Sequence, residues 1–354
     1  MASGRRLDWV DMAKGISIFL VVMMYAASSV GEDTGGVGAL HWAIAFATPF
    51  RMPEFFLISG LFLSQVIDRP WSAYADRRVV HYLYFYALWA LIHIVFKVGL
   101  LAMDPVGAIE QIAWAVIQPY GVLWFIYMLA AVSAVTKLLH DLSAPKWGVF
   151  AVAAILQMAT IQTGSYLVDQ FAEYFVFFYA GYVLAPHLFR LAARATEHVA
   201  LALAGLLIWV ILNAALVFSP GFAMHPIHPV MGYAGLPGLH LVLALVGTAA
   251  LCVIAALLTR LNWMDWLRWM GSKSLVIYVA FVLPMGISRT LLIKFGVVEP
   301  TVLSLTILVI SITSPLVLYW IVQRIGFGRF LFERPDWAHL PGASRRRAVA
   351  APAE

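Results

Sequence analysis

The sequence contains about ten apolar runs long enough to cross a lipid bilayer. Each has roughly 17 to 25 predominantly apolar residues, which is the length a transmembrane helix needs. Because lipid offers no hydrogen-bond partner to an open backbone, we predict that all of them are helices. The runs cover approximately residues 9–30, 42–67, 82–103, 121–139, 147–163, 170–191, 198–218, 239–258, 274–293 and 301–323. This pattern predicts an all-α integral membrane protein with a bundle of about ten transmembrane helices.

The composition excludes a soluble domain. Hydrophobic residues make up 63% of the chain and charged residues only 12%, whereas charged residues make up about 25% of a typical soluble domain. The formal charge of +5 does not indicate nucleic acid, because the basic residues fall in short loops between apolar runs. We therefore expect a lipid bilayer around the protein and no nucleic-acid partner.

Charge alternates between successive loops. The acidic loops contain Glu32, Asp33, Asp104, Asp169 and Glu299, with Lys294 as the basic exception. The basic residues lie in the other loops and at both chain ends, including Arg5, Arg6, Arg69, Arg77, Arg78, Lys137, Lys146, Arg190, Arg194, Arg260, Arg268, Lys273, Arg324, Arg329, Arg334 and Arg345 to Arg347. Because loops rich in Lys and Arg stay in the cytoplasm, we predict that both termini are cytoplasmic.

The C-terminal segment differs in composition from the rest of the chain. Residues 335–354 are rich in Pro, Ala and Arg and contain no long apolar run. Such a segment cannot bury enough apolar surface to fold alone. We predict a transmembrane domain at 1–334 and a disordered cytoplasmic tail at 335–354.

The first apolar run carries an ammonium group near one end and a phenol near the other. Lys14 and Tyr25 are eleven positions apart, so they lie on nearly the same helix face, roughly 16 Å apart along the axis. A cation inside a membrane usually faces the bundle interior or an aqueous cavity. The alternative is that Lys14 extends to the membrane surface and Tyr25 is a packing aromatic.

The second run contains FRMPEFFLISGLFL, with Arg51 and Glu54 at i and i+3 and Pro53 between them. A guanidinium and a carboxylate remain inside a membrane only when well paired, so we predict a buried ion pair. Proline would bend the helix and free a backbone carbonyl, as happens beside cavities. The motif predicts a functional centre, and the alternative is an ion pair that joins two helices.

Two arginines, Arg77 and Arg78, precede the third run. Guanidinium groups at the cytoplasmic surface can bind phosphates, although the same residues can serve only to orient the chain. His225 and His228 have no carboxylate or cysteine nearby in the sequence, so we predict no metal site.

Several segments together resemble the acyltransferase 3 family. They are KGISIFLVV followed by Tyr25, FRMPEFFLISGLFL, the DRR stretch, LWFIYML, YFVFFYAGYVLA and SLVIYVAFVLPM, in that order between Asp11 and about Met285. The resemblance implies a bacterial inner-membrane enzyme that transfers an acyl group from cytoplasmic acyl-CoA to a hydroxyl of a carbohydrate or cell-envelope glycan. Acetyl, supplied by acetyl-CoA, is the acyl group that the resemblance most favours, and succinyl is the alternative. No permanently bound cofactor is implied.

The sequence departs from the family at two positions. Lys14 matches the basic residue of the first helix, but Tyr25 stands where the family has its histidine, and Phe281 stands where a second histidine is common. A histidine with a pKa near 6.5 is a competent base at neutral pH, whereas a free phenol, near 10, is mostly protonated. Three alternatives follow: a nearby cation activates Tyr25, Glu54 serves as the base, or turnover has been lost.

The sequence therefore predicts two groups of site residues. Lys14, Arg77 and Arg78 would bind the acyl-CoA phosphates. Arg51, Glu54 and Tyr25 would form the catalytic centre, with Glu54 preferred over Tyr25 as proton acceptor because a carboxylate is the easier base to tune. The rival hypothesis is a non-catalytic family member that acts as a transporter or glycan-export component.

Overall fold

The computed structural model describes residues 8–341 and is helical, with one isolated β-bridge between Ala223 and Val230. Arg5, Arg6, Arg345 to Arg347 and most of the predicted tail lie outside the described residues. The α-helices are α1 (Asp8–Thr34), α2 (Ala39–Ala47), α3 (Arg51–Gly60), α4 (Trp71–Ala75), α5 (His81–Ile94), α6 (Pro105–Ala115), α7 (Trp124–Asp141), α8 (Lys146–Met158), α9 (Tyr166–Glu197), α10 (Val199–Val217), α11 (Pro237–Leu258), α12 (Asp265–Ser272), α13 (Ser274–Ala280), α14 (Val282–Lys294) and α15 (Pro300–Ile325).

Seven helical segments within residues 8–341 are long and apolar enough to cross a membrane. An eighth is formed if α13 and α14, which meet at an angle of 53°, are counted as one bent span. The predicted number of ten was therefore too high by this measure. The run at 42–67 is divided between α2 and α3, and α8 has only 13 residues, which is shorter than a bilayer requires.

The break between α2 and α3 places Arg51 at the start of a helix. Pro53 lies in the first turn of α3, where its missing N–H costs no helical hydrogen bond. Proline therefore helps to begin a new helix here, and does not bend a continuous one as predicted. The Glu54 N–H donates to the carbonyl of Phe50 at 2.9 Å, which closes the first turn.

Glycines allow close helix crossings around this break. A Cβ at Gly60 of α3 would collide with the Phe178 carbonyl of α9, and one at Gly181 of α9 would collide with the Leu57 carbonyl. Small residues commonly permit such approach between membrane helices. The α3–α9 crossing fixes the position of α3, and α1 packs against α3, α11, α12 and α15.

We call the face of the bundle at which α1 begins the near face, and the face at which α1 ends the far face. α15 runs antiparallel to α1, because Thr301 at its start accepts a hydrogen bond from the Ala39 N–H. The segment after α15 contacts α5 at the near face, where Tyr84 donates to the Phe330 carbonyl.

Residues 335–341, the first part of the predicted tail, are folded against Asp76. Arg334 donates to the Asp76 Oδ2 at 2.5 Å and to the Asp76 carbonyl at 2.6 Å. The Leu340 N–H donates to Oδ1 at 2.8 Å, and His339 lies 3.0 Å from Oδ2. Asp76 therefore anchors this part of the segment, which had been predicted to be disordered.

Breaking this anchor should loosen the C-terminal segment. The side chains of Arg334 and Asp76 are only 4% and 5% exposed, and removing one partner of a buried ion pair costs about 3 kcal/mol or more. We expect Arg334→Gln to lower the unfolding temperature in detergent and to speed proteolysis after α15. The exposed Arg329 of the same segment supplies the control, Arg329→Gln. Equal stability of the two variants would show that the Asp76 contacts contribute nothing.

Candidate active site

The two positions that lack an expected histidine are neighbours in the structure. The rings of Tyr25 on α1 and Phe281 have centroids 5.5 Å apart. Phe281 lies between α13 and α14, at the bend in this span. Two departures that are 256 positions apart in the sequence (281 − 25) therefore fall in one site.

Further aromatic side chains complete a cluster around this pair. Trp124 of α7 lies 5.4 Å from Tyr174 and 6.1 Å from Tyr166, both of α9. Tyr278 of α13 lies 6.4 Å from Phe281, as measured between ring centroids. We call the set the aromatic cluster, and its members are Tyr25, Trp124, Tyr166, Tyr174, Tyr278 and Phe281.

Arg51 brings a cation to the aromatic cluster. Its guanidinium lies within electrostatic range of the Tyr25 and Tyr174 hydroxyl groups. Its Nε and Nη1 atoms are buried and have no hydrogen-bond partner among the described residues. A buried donor without a partner is unfavourable unless a ligand or water satisfies it, so Arg51 is poised to bind an oxygen atom.

Glu54 does not pair with Arg51, contrary to the prediction of a buried ion pair. Arg51, at the first residue of α3, reaches toward α9, whereas Glu54 faces α1 and α11, with Ser17 and Cys252 beside it. The Ser17 hydroxyl donates to the Ala13 carbonyl at 2.9 Å. Glu54 is 0% exposed, and neither of its carboxyl oxygens accepts a hydrogen bond of normal geometry from the described residues, although Ser17 lies beside them.

A narrow cavity of about 150 Å³ leads toward the aromatic cluster from the near-face half of the bundle. Lys14 and Tyr82 line one end, and Phe125 and Tyr278 line the other. The Tyr278 hydroxyl donates to the Val122 carbonyl, which fixes this ring at the inner end. We call this space the donor cavity. Lys14 and Tyr25 were predicted to share one helix face. Lys14 lies at the outer end of the donor cavity, and Tyr25 lies just beyond its inner end.

The three predicted phosphate-binding residues are placed differently. The Lys14 ammonium lies 3.8 Å from Asp11 Oδ1 and lines the donor cavity. Arg78 is half-buried and precedes by one turn Tyr82, which also lines that cavity. Arg77 is exposed at the surface. Of the three, Lys14 alone lines the donor cavity, and Arg78 lies in the turn before the lining residue Tyr82.

Sequence reasoning missed most of the aromatic cluster. Trp124, Tyr174 and Tyr278 were noticed only as parts of apolar motifs, and Tyr166 was not noticed at all. Their contacts join α7, α9 and α13, which are distant in sequence. The one available signal was the density of aromatic residues inside these motifs.

Across residues 8–341, no group of three or more His, Cys, Asp or Glu side chains is close enough together to hold a metal ion.

A search of family models finds one match, to the acyltransferase 3 family, described as an acyltransferase domain and covering residues 7–320. No curated protein and no solved structure shows significant similarity to the chain. The matched range includes every residue of the aromatic cluster, Arg51 and the donor cavity.

Proposed function

Since the chain belongs to the acyltransferase 3 family, we propose that it is a membrane-bound O-acyltransferase that moves an acyl group from acyl-CoA to a hydroxyl of a carbohydrate or cell-envelope glycan. Acetyl is the acyl group we favour. The observation that carries the proposal is the donor cavity, because it runs from Lys14 to Tyr278 of the aromatic cluster, which contains Tyr25 and has Arg51 within electrostatic range.

The near face would be cytoplasmic, in a bacterial inner membrane. Loops at that face carry Arg77 and Arg78, as expected of cytoplasmic loops. Lys14 and Arg78 would bind the phosphates of acyl-CoA at the mouth of the donor cavity, with Arg77 attracting the anion from the surface. The pantetheine arm would then occupy the cavity, so that the thioester reaches the aromatic cluster.

The reaction itself is an acyl transfer. The oxygen of the acceptor hydroxyl attacks the thioester carbonyl, a C–O bond forms, and the C–S bond breaks to release the CoA thiol. Negative charge develops on the carbonyl oxygen, and the unpartnered donors of Arg51 would stabilise it. The Tyr25 hydroxyl oxygen would accept the acceptor proton while its own proton passes to the departing sulfur, so that the CoA thiol leaves neutral.

Glu54 remains a candidate proton acceptor, but its side chain is fully buried, which favours Tyr25 in this role. Tyr25 is partly exposed and contacts Phe281 in the cluster, whereas Glu54 is fully enclosed. We expect Glu54→Gln to retain the transfer rate within about threefold, a change of less than 1 kcal/mol in activation energy. Initial rates with labelled acetyl-CoA measure this. A loss of about 100-fold or more, with normal folding, would return the role of base to Glu54.

One observation favours a second candidate function. Tyr25 and Phe281 replace both family histidines in one place, which leaves the centre without its usual base. A non-catalytic transporter or glycan-export component would explain this directly. Transport of a glycan in sealed vesicles without any acyl-CoA would support that function.

The proposed function is tested with membranes that contain the protein. They are incubated with [¹⁴C]acetyl-CoA and a panel of glycans, and the glycan fraction is analysed for label. We expect label in a base-labile ester, and no label with membranes from cells lacking the gene. If no glycan is labelled and glycan crosses the membrane without acyl-CoA, the enzyme hypothesis is rejected in favour of a transporter.

A further inference from the structure

We propose that a polar cavity between α8, α9 and α11 binds the acceptor, and that this acceptor is an uncharged carbohydrate without phosphate or carboxylate groups. The proposal rests on the proposed function and adds the location and charge of the acceptor. The cavity has a volume of about 720 Å³, within the range of about 300 to 1,000 Å³ typical of small-molecule sites.

The cavity lies toward the far face. The loop that precedes α11 contacts the end of α1, where Ser28 donates to the Ile227 carbonyl at 2.9 Å. At the other end of the bundle, Arg260 after α11 donates to the Thr196 carbonyl near the end of α9, so these two helices run in the same direction. α8 ends where α9 and α11 begin, and the cavity occupies that junction. It is therefore separated from the donor cavity, which approaches the cluster from the other face.

Gln157 and His240 form a polar wall of the cavity. Its side chain is only 5% exposed, and its Nε2 lies 3.0 Å from Nδ1 of His240. Its Oε1 is buried and has no hydrogen-bond partner among the described residues, and the residue lines the cavity. With Nδ1 accepting from the amide, His240 keeps Nε2–H as a donor. One wall therefore offers an acceptor and a donor side by side, the pair that a sugar hydroxyl can satisfy.

The opposite wall belongs to α9 and carries Asp169, Gln170 and Glu173. Asp169 is engaged by Thr163, whose N–H and hydroxyl donate to it at 2.8 and 2.9 Å. This contact holds the loop between α8 and α9 over the cavity. Gln170 lines the cavity, and Glu173, which also interacts with the Tyr174 hydroxyl, keeps further carboxylate lone pairs for a ligand. Amide and carboxylate oxygens accept hydrogen bonds from hydroxyl groups.

The charge of the cavity selects against anionic acceptors. Among the described residues that line it, none is Lys or Arg, the side chains that bind phosphate and carboxylate groups. Asp169 adds negative charge, and Glu173 does so when ionised, which would repel an anion. A neutral polyol is therefore preferred over a sugar phosphate or a uronate.

Glu173 connects the cavity to the reacting centre. It lies beside the hydroxyl of Tyr174, which is itself within electrostatic range of Arg51. Tyr166 likewise lies within electrostatic range of both Glu173 and Tyr25. A hydroxyl of a sugar bound between α8 and α9 would thus face the cluster that the thioester reaches from the donor cavity.

The test uses the full-length protein in lipid nanodiscs and measures binding separately from transfer. Saturation-transfer NMR records binding of maltotriose, of glucose 6-phosphate and of trigalacturonate. The variants are Gln157→Leu and Gln170→Leu, the second because the Gln170 side chain forms no hydrogen bond with another residue in 8–341 whose loss would disturb folding. Gln118→Leu is the matched control, since Gln118 is exposed and does not line the cavity. Calorimetry with acetyl-CoA measures donor binding in each protein.

We expect maltotriose to bind and the two anionic sugars to bind at least about tenfold more weakly. Both cavity variants should weaken maltotriose binding by about tenfold or more, while acetyl-CoA binding and Gln118→Leu stay unchanged. Failure of maltotriose to bind, equal binding to all variants, or a preference for an anionic sugar would overturn the proposal. Sugar binding without any acyl transfer would support the sugar site but reject the proposed acyltransferase activity.

Discussion

Replacing Arg51 by methionine is expected to lower the acyl-transfer rate by about 10²- to 10³-fold, the usual effect of removing one oxyanion donor. Arg51 is the cation within electrostatic range of Tyr25 and Tyr174, and two of its nitrogen atoms have no protein partner. Its donors are therefore free for the negative oxygen of the tetrahedral intermediate. The rate is measured with labelled acetyl-CoA and saturating acceptor, so that the loss is read in kcat.

The folded state should survive this change. Two nitrogen atoms of Arg51 are buried without a hydrogen-bond partner among the described residues, so methionine removes a poorly compensated buried charge, whose burial is itself unfavourable. Arg289→Met is the matched control, because Arg289 also lies inside a helix but pairs with Asp33 at 2.8 Å. It should retain the transfer rate while losing stability. Normal turnover in Arg51→Met would remove Arg51 from the reacting centre.

Tyr25 gives the second large effect, and its two substitutions should act in opposite directions. Tyr25→Phe removes the hydroxyl and should lower the transfer rate by about 10²-fold or more, within the range for a lost acid–base group. Tyr25→His supplies a base whose pKa of about 6.5 suits neutral pH, so the rate should rise. Both rates are compared with the unmodified protein over a range of pH.

Tyr127→Phe provides the control for Tyr25, because the Tyr127 hydroxyl donates to the Val116 carbonyl outside the aromatic cluster. Phe281 contacts Tyr25, so the two substitutions should be coupled. The double variant Tyr25→His with Phe281→His should change the activation free energy by more than the sum of the changes in the two single variants. If Tyr25→Phe and Tyr25→His both leave the rate unchanged, the tyrosine is only a packing residue.

The helices were predictable because lipid makes length and apolarity almost sufficient to define a span. The runs at 9–30 and 239–258 correspond to α1 and α11, with differences of a few residues at their ends. The run at 42–67 was misjudged because its hydropathy continues across the break at 48–50, where the chain leaves α2. Whether proline bends a helix or begins a new one depends on tertiary contacts, here the crossing of α3 and α9.

The candidate site was predictable in part. The alignment of Lys14 with Tyr25 follows from helical geometry alone, and the donor cavity lies between them. The Arg51–Glu54 pair was wrong because spacing of i and i+3 permits contact without requiring it, and α9 and α11 draw the two side chains apart. The aromatic cluster arises from contacts between distant helices, which periodicity within one helix does not encode.

A structure of the protein with a non-hydrolysable acetyl-CoA analogue tests the central claim most directly. We expect the CoA phosphates beside Lys14 and Arg78, the pantetheine arm in the donor cavity, and the acyl carbonyl oxygen within hydrogen-bond distance of Arg51, about 3 Å. An analogue bound at the far face, or one whose carbonyl lies away from both Arg51 and Tyr25, would contradict the account.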